Sequence, residues 1–428
     1  MRKLYSSLSI ILFICSINFL QAINSEPKQI STSTPVIYVP GIMGSPLYDD
    51  INNNNLLTIE EKAWFGIQFP SLWLSGNGID PAGNYNIKVA PLRNDAANTL
   101  WDELNTVPME LFKGFFDNLE ANGYTVDNYD ENHSEGENLF CFTYDWRKNN
   151  MTNAQLLSNF IDSVISWTGV IKVNLIGHSM GGILSKTFIK NFDKSRIDKM
   201  IFIGTPHLGA PEVLTVMLKG KLFEWINLVN EIEWPIIRSL ARNLPSCYQL
   251  IPSSSYFDLN YNNGVSTNIE IYSECFQLPN GNYTNYPELI NYLENYESCL
   301  IEDLNDELLN NSEIFKASID TVDFGEVEVF NIVGYNIWTI GKNKVIAGGP
   351  PFYCNAIEYF RNLNGDNTIP VRSAELLNGQ IFEHTYYIPN GAHHNLPGSP
   401  EILEILLGIF ADPPNYNFTQ YASPPVSY

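Results

Sequence analysis

A serine with glycine two positions away on either side is the first feature of this sequence that could do chemistry. The segment reads Gly177-His178-Ser179-Met180-Gly181-Gly182. The strand-like run Val170 to Ile176 precedes it, and the amphipathic run Ile183 to Phe192 follows it. A serine on a tight strand-to-helix turn needs small neighbours at these two positions, and this context is that of a nucleophile elbow. The sequence therefore predicts Ser179 as a nucleophile.

A histidine base is expected further along the chain, because a serine hydroxyl attacks poorly until its proton is removed. In folds with this elbow, an acid and then a histidine follow the serine. His384 lies on the alternating pattern of a predicted strand, which favours a packed strand residue. His393 and His394 lie in the loop Pro389 to Asn395 beyond that strand, where catalytic side chains commonly sit. Spacing leaves the choice between these two open.

The carboxylate that would orient the histidine is predicted at Asp366, in the polar turn Asn364 to Pro370 just before the last predicted strand. An aspartate beside a glycine also commonly forms an Asx turn, which is the structural alternative. Glu375 and Asp323 are the other carboxylates considered for the role.

Two backbone N–H groups are expected to stabilise the negative oxygen of a tetrahedral intermediate. One belongs to the residue after the serine, Met180, and the other to a loop after an early strand. The loop Pro40-Gly41-Ile42-Met43-Gly44 follows the first predicted strand, and Ile42 is the residue chosen for the second donor. Chemistry of this kind needs no cofactor and no metal.

The surrounding pattern alternates strand and helix, which predicts an α/β fold with a mostly parallel sheet, helices on both faces and right-handed crossovers. Predicted strands are 35–40, 139–144, 170–176, 199–203, 327–334 and 381–388. The predicted organisation is a core at 35–212 with lid-like loops at 45–138, a cap insertion at 213–323, a second core part at 324–411, and a disordered tail at 412–428.

Composition and the first residues bear on partners and compartment. The net charge of −23 repels phosphate backbones, so nucleic acid is excluded as a partner. Residues 1–22 have the basic start and short apolar core of a signal peptide, too short for a stable membrane anchor. We expect a secreted protein or one of the lysosomal or other endomembrane lumen, with glycosylation possible at the sequons Asn132, Asn150, Asn282, Asn310 and Asn417.

Cys141 is predicted to be a buried free thiol, whereas the pairing of Cys247, Cys275, Cys299 and Cys354 stays open.

Six motifs in order along the chain resemble those of the lecithin:cholesterol acyltransferase family, which includes the lysosomal phospholipase A. They are Val39-Pro40-Gly41-Ile42-Met43-Gly44, Tyr144-Asp145-Trp146-Arg147, the elbow, Gly204-Thr205-Pro206, Gly365-Asp366-Asn367-Thr368-Ile369-Pro370 and the closing His394. The resemblance extends from about residue 35 to 410. It implies an α/β-hydrolase with Ser179, Asp366 and His394 as a triad, with His394 preferred to His393. It also implies oxyanion donors at Ile42 and Met180 and a cap for lipid chains.

The expected activity is hydrolysis or transfer of lipid acyl esters, of phospholipase A type, at a membrane or lipoprotein surface. Trp64, Phe65 and Trp73 are candidates for an apolar acyl pocket, although packing is the simpler role of each. A neutral-lipid lipase and a catalytically silent secreted binding protein on the same scaffold are the alternatives.

Overall fold

The computed structural model describes residues 34–50, 74, 86–89, 107–127, 136–221, 234–258, 274–295, 304–346 and 356–422. The predicted signal peptide, the sequon Asn132 and the pocket candidates Trp64, Phe65 and Trp73 lie outside these ranges. So do Cys299 and Cys354, whereas Cys247 and Cys275 are buried free thiols.

A six-stranded sheet forms the centre of the molecule, with strand order β11-β8-β6-β5-β1-β4 and every neighbouring pair parallel. Each strand overlaps the apolar run predicted for it, and the observed and predicted ends differ by a few residues. The bounds are β1 Val36–Val39, β4 Leu139–Cys141, β5 Val173–His178, β6 Ile197–Ile203, β8 Glu328–Tyr335 and β11 Thr385–Pro389.

Helices cover both faces of this sheet, which is why its strands are mainly apolar rather than alternating. On one face, α2 (Asn150–Thr168) packs against α3 (Met180–Asn191), and both bury apolar side chains with one set of strand residues. On the other face lie α1 (Val107–Glu120) and α11 (Pro400–Ile409). Consecutive strand residues, such as Ile37 and Tyr38, point to opposite faces of the sheet and therefore belong to different hydrophobic clusters.

Between β6 and β8 the chain leaves the sheet and builds additional helices. These are α4 (Pro211–Lys219), α5 (Trp234–Ala241), α6 (Pro245–Gln249), α7 (Ser254–Phe257), α8 (Tyr286–Glu294) and α9 (Asp306–Ile319). α9 packs on α3 through Ile183, Phe315 and Ile319. The boundaries of an inserted cap stay a prediction.

Two smaller sheets had no counterpart in the sequence-based prediction. The first pairs β9 (Ile337–Ile346) with β10 (Ala356–Gly365) as an antiparallel hairpin, and β7 (Phe276–Gln277) adds to β9 in parallel. The second pairs β2 (Leu47–Asp49) with β3 (Ile87–Val89). The hairpin delivers the chain directly to Asp366, and the short α10 (Val371–Glu375) follows.

The beginning of the tail is ordered against the core, contrary to the prediction of disorder from 412. Phe418 is buried in the cluster formed by α1 and α11, and its ring contacts the Tyr386 ring edge-on at 5.3 Å. The Tyr386 hydroxyl donates to the carbonyl of Tyr416 at 3.0 Å. The correction covers 412–422, because the last six residues lie outside the described part. No helix within the described ranges is both long enough and apolar enough to cross a membrane.

Candidate active site

Ser179 lies on the sharp turn between β5 and α3, at the carboxyl edge of the sheet. Its backbone dihedrals, φ 55° and ψ −127°, are strained for a residue with a side chain. A β-carbon at position 177 would come within 2.6 Å of Gly182 Cα, and one at position 181 within 2.1 Å of the Val39 carbonyl oxygen. Glycine is therefore required at both positions, as the elbow motif predicts.

Ser179, His393 and Asp366 form a continuous line of hydrogen bonds. The Oγ of Ser179 lies 2.9 Å from Nε2 of His393, and Nδ1 of His393 lies 2.7 Å from Oδ2 of Asp366. A carboxylate only accepts, so Nδ1 carries the hydrogen and Nε2 is left to accept the serine proton. All three side chains are buried. This is the geometry in which a histidine can activate a serine hydroxyl.

The histidine in this line is His393, so the preference for His394 is corrected. The main-chain N–H of His393 donates to the carbonyl of Asp366 at 2.7 Å, which aligns the two residues along the loop. Neighbouring side chains in a loop point in different directions, and only that of His393 enters the line. His394 is half-buried, and burial together with the nearby His393 lowers its pKa below the ordinary histidine value.

Asp366 occupies a tight turn that fixes its carboxylate. Its Oδ1 accepts the main-chain N–H groups of Thr368 at 3.0 Å and Ile369 at 2.6 Å. The aspartate thus forms the Asx-type turn and faces the histidine at the same time, so the two roles weighed for it are compatible. The hairpin of β9 and β10 also stabilises this turn, because Thr339 Oγ1 in β9 accepts the N–H of Asn367 at 3.0 Å.

The other candidates lie elsewhere. Asp323 is exposed and pairs with Lys194 at 2.8 Å. Glu375 is buried and accepts the Tyr387 hydroxyl at 2.9 Å. His384 stacks on the Phe330 ring at 5.1 Å, as the packed role predicts.

His178 supports His393 from the elbow itself, a role that the sequence did not indicate. Its Nε2 donates to the carbonyl oxygen of His393 at 3.0 Å, and the two rings lie 4.9 Å apart. Burial, reinforced by His393 and partly opposed by this hydrogen bond, holds the pKa of His178 well below its usual range. His178 is therefore a neutral donor that fixes the main chain of the base.

The loop after β1 lies directly against Ser179. A β-carbon at Gly41 would lie 2.7 Å from the β-carbon of Ser179. The N–H of Gly44 donates to the carbonyl of Gly41 at 3.1 Å, closing a turn in which Met43 has a positive φ of 64°. Within the described part of the chain, the N–H groups of Ile42 and Met180 make no hydrogen bond. Both are therefore available to a ligand oxygen.

An apolar pocket begins at this loop, with about 450 Å³ of empty space, part of it open to solvent. Its walls come from the loop, the segment after β4, helices α4 and α5, and the start of α6: Ile42, Met43, Trp146, Val213, Val216, Ile237, Leu240, Ala241, Leu244 and Cys247. Among the described residues this lining carries no charged or hydroxyl side chain, which suits a hydrocarbon chain.

Comparison with known proteins identifies the family of the chain. The family model for lecithin:cholesterol acyltransferase matches residues 89–323, more than half of the chain. The chain belongs to the lecithin:cholesterol acyltransferase family. It is 26% identical over 398 residues to the lecithin-cholesterol acyltransferase-like 4 protein of Arabidopsis thaliana, covering 86% of this chain and 69% of that protein. It is also 26% identical over 159 residues to the phospholipase A(1) LCAT3 of the same plant, covering 33% of this chain and 35% of the other.

Among solved structures, the protein resembles a chain of the Tle4–Tli4 complex with a TM-score of 0.58. The identity is 13%, and the match covers 91% of this chain and 99% of that one. The likeness extends over nearly the whole protein and, with the parallel sheet and elbow, makes the fold an α/β-hydrolase. Within the lecithin:cholesterol acyltransferase family, the protein is a lipid acyl-ester hydrolase or acyltransferase.

Proposed function

We propose that the protein is a serine lipase of phospholipase A type that works through an acyl-enzyme on Ser179. The observation that carries the proposal is the hydrogen-bonded line from Ser179 through His393 to Asp366. It lies beside two unoccupied main-chain donors and an entirely apolar pocket. This combination fits an ester whose acyl part is a hydrocarbon chain.

In the first half-reaction, Ser179 Oγ attacks the ester carbonyl carbon while Nε2 of His393 takes the hydroxyl proton. The carbonyl oxygen becomes negative and accepts hydrogen bonds from the N–H groups of Ile42 and Met180. Asp366 stabilises the imidazolium that forms. When the tetrahedral intermediate collapses, the bond to the leaving oxygen breaks, and His393 returns its proton to that oxygen. The products are a lysolipid or other alcohol and acyl-Ser179.

In the second half-reaction, His393 removes a proton from the incoming nucleophile, which attacks the acyl carbonyl. Water gives a free fatty acid, whereas a lipid alcohol gives a new ester, and either route regenerates Ser179. Both use the same side chains, so hydrolase and acyltransferase differ only in which acceptor reaches the acyl-enzyme. We propose hydrolysis as the basal reaction because it needs no second binding site.

We also propose that the protein is secreted or lumenal, carries N-linked glycans, and meets its substrate at a membrane or lipoprotein surface. The signal-like residues 1–22 and the sequons support this. Asn282, Asn310 and Asn417 are exposed and accessible to a transferase. Asn150 is fully buried, and its side chain donates to Gln249 Oε1 at 2.9 Å, so we expect no glycan there.

The test is release of fatty acid from phosphatidylcholine liposomes by the purified protein and by Ser179→Ala, at pH 5 and pH 7.5. The exposed Ser195→Ala is the matched control. We expect release by the native protein and the control, and loss of activity in Ser179→Ala. Release that survives in Ser179→Ala would overturn the serine mechanism.

Further arms of the same experiment separate the alternatives. Addition of a long-chain alcohol that converts part of the fatty acid into ester would reveal transferase activity. Hydrolysis of triacylglycerol without hydrolysis of phosphatidylcholine would replace the phospholipase with a neutral-lipid lipase. Failure on both lipids would favour the catalytically silent binding protein.

A further inference from the structure

The segment Tyr144-Asp145-Trp146-Arg147 follows β4 and holds the loop 40–45, which carries Ile42. The Tyr144 hydroxyl donates to the carbonyl of Pro40 at 2.8 Å, at the start of the loop. At its end, Trp146 Nε1 donates to the carbonyl of Ser45 at 3.1 Å, and the N–H of Tyr144 donates to Ser45 Oγ at 3.1 Å. The three bonds fix the loop at both ends, with Ile42 between them.

The holding segment is itself rigid. Arg147 forms a two-pronged ion pair with Asp145, through Nε to Oδ1 at 2.8 Å and Nη2 to Oδ2 at 2.7 Å. Asn153 of α2 donates to the carbonyl of Asp145 at 3.0 Å. Ser246 of α6 donates to the carbonyl of Arg147 at 3.3 Å. The segment is thus tied to helices on two sides and provides a fixed support for the loop.

The loop needs such support because its conformation is unfavourable. Met43 has φ 64°, in the left-handed region that is strained for a residue with a side chain. The turn also lies against Ser179, where Gly41 leaves no room for adjustment. Without its end contacts, the loop would relax towards ordinary dihedrals, and the N–H of Ile42 would turn from its position beside the nucleophile.

We infer that Tyr144 and Trp146 are positioning residues for the oxyanion donor at Ile42, acting through the carbonyl groups of Pro40 and Ser45. The inference rests on the proposed function. It gives a physical role to Tyr144-Asp145-Trp146-Arg147, a motif that contains none of the three residues in the hydrogen-bonded line. Tyr144 does not line the apolar pocket, so its contribution is separable from binding of the acyl chain.

The variants are Tyr144→Phe and Trp146→Phe, which remove one donor each and keep an aromatic ring. Tyr386→Phe is the matched control, because it removes a tyrosine hydroxyl that donates to a main-chain carbonyl near the tail. The measurements are kcat and KM on a soluble p-nitrophenyl ester, inhibition by an alkyl trifluoromethyl ketone, and binding of a fluorescent fatty acid. Melting temperature reports the stability of each variant.

Loss of an oxyanion donor costs about 10² to 10³-fold in kcat, so displacement of one is expected to cost about 10 to 100-fold. For Tyr144→Phe we expect this fall in kcat with KM within about twofold. Affinity for the ketone, which forms an oxyanion on Ser179, falls by a similar factor, whereas fatty-acid binding is unchanged. Trp146→Phe shows the same fall in kcat, with KM free to change because its ring lines the pocket. Tyr386→Phe retains native kinetics.

Equal kinetics in Tyr144→Phe and Tyr386→Phe would overturn the inference, as would a fall in kcat without a matching loss of ketone affinity. A change confined to melting temperature would also overturn it, because that is the effect of a purely structural contact. Failure of the proposed function is distinguished by Ser179→Ala: activity that survives that change removes the serine mechanism, whatever the two aromatic variants do.

Discussion

Ser179 and His393 are 214 residues apart in the chain, yet Oγ of the first lies 2.9 Å from Nε2 of the second. The contact depends on the order of the sheet, because β5 and β11 end at the same edge and leave the elbow and the last loop facing each other. Asp366 enters at that edge from β10. The parallel topology thus brings together side chains from three distant segments.

The two adjacent histidines provide the sharpest test of this geometry. His393→Ala is expected to lower kcat by about 10⁴ to 10⁶-fold, the cost of losing a triad member in serine hydrolases. His394→Ala, the control, is expected to retain most of the activity because its ring lies outside the line. Ester hydrolysis by both purified variants is the measurement. Activity lost in His394→Ala and kept in His393→Ala would contradict the arrangement.

The apolar pocket predicts how acyl-chain preference can be altered. Ala241 lies on its wall, at the end of α5. Ala241→Phe places a ring in the pocket and is expected to lower kcat/KM for long-chain p-nitrophenyl esters while the acetyl ester is hydrolysed at the native rate. The acetyl ester is the internal control, since it tests Ser179 without filling the pocket. An equal loss on all chain lengths would show that the pocket does not hold the acyl chain.

Glu375 predicts a dependence of stability on pH. Burial raises its pKa to about 7, partly opposed by the hydrogen bond from Tyr387 and by Arg372. Because the folded pKa lies above the unfolded value, the protonated carboxyl favours folding below about pH 4.5, and this contribution is lost as pH rises through about 7. Above that pH, Glu375→Gln is expected to be more stable by about 3 kcal/mol, since the pKa rises from 4.5 to about 7 and one pKa unit is about 1.4 kcal/mol.

Urea unfolding at pH 5 and pH 8 measures this effect. The free energy of unfolding of the variant should exceed that of the native protein much more at pH 8 than at pH 5, where most of the contribution of the protonated carboxyl remains. Glu383→Gln, at an exposed carboxylate, is the matched control and should follow the native protein at both. A stabilisation of Glu375→Gln that is the same at both pH values would contradict the shift.

The elbow and the strands were predictable because their signals are local. Gly177 and Gly181 are required by contacts within a few residues or with the adjacent strand, and the strands of the central sheet are mainly apolar. The place of Asp366 followed from chain order, which the fold imposes. Fold class and family could therefore be predicted from sequence alone.

The prediction of His394 rather than His393 was wrong because the contact that decides between them joins residues far apart in the chain. The choice depends on a hydrogen bond from the loop to the Asp366 carbonyl, and no spacing rule contains that contact. The hairpin of β9 and β10 escaped prediction because two register shifts interrupt its alternation. The packing of Phe418 was not predicted because a single buried aromatic residue produces no periodic pattern in the sequence.

The nucleophile can be identified directly by its reaction with a long-chain fluorophosphonate, with the modified residue located by peptide mass spectrometry. We expect one modified peptide, labelled on Ser179, in the native protein and in Ser195→Ala. Labelling should be absent from Ser179→Ala and strongly slowed in His393→Ala. A label on another serine, or undiminished labelling of Ser179→Ala, would contradict the assignment of the nucleophile and with it the proposed mechanism.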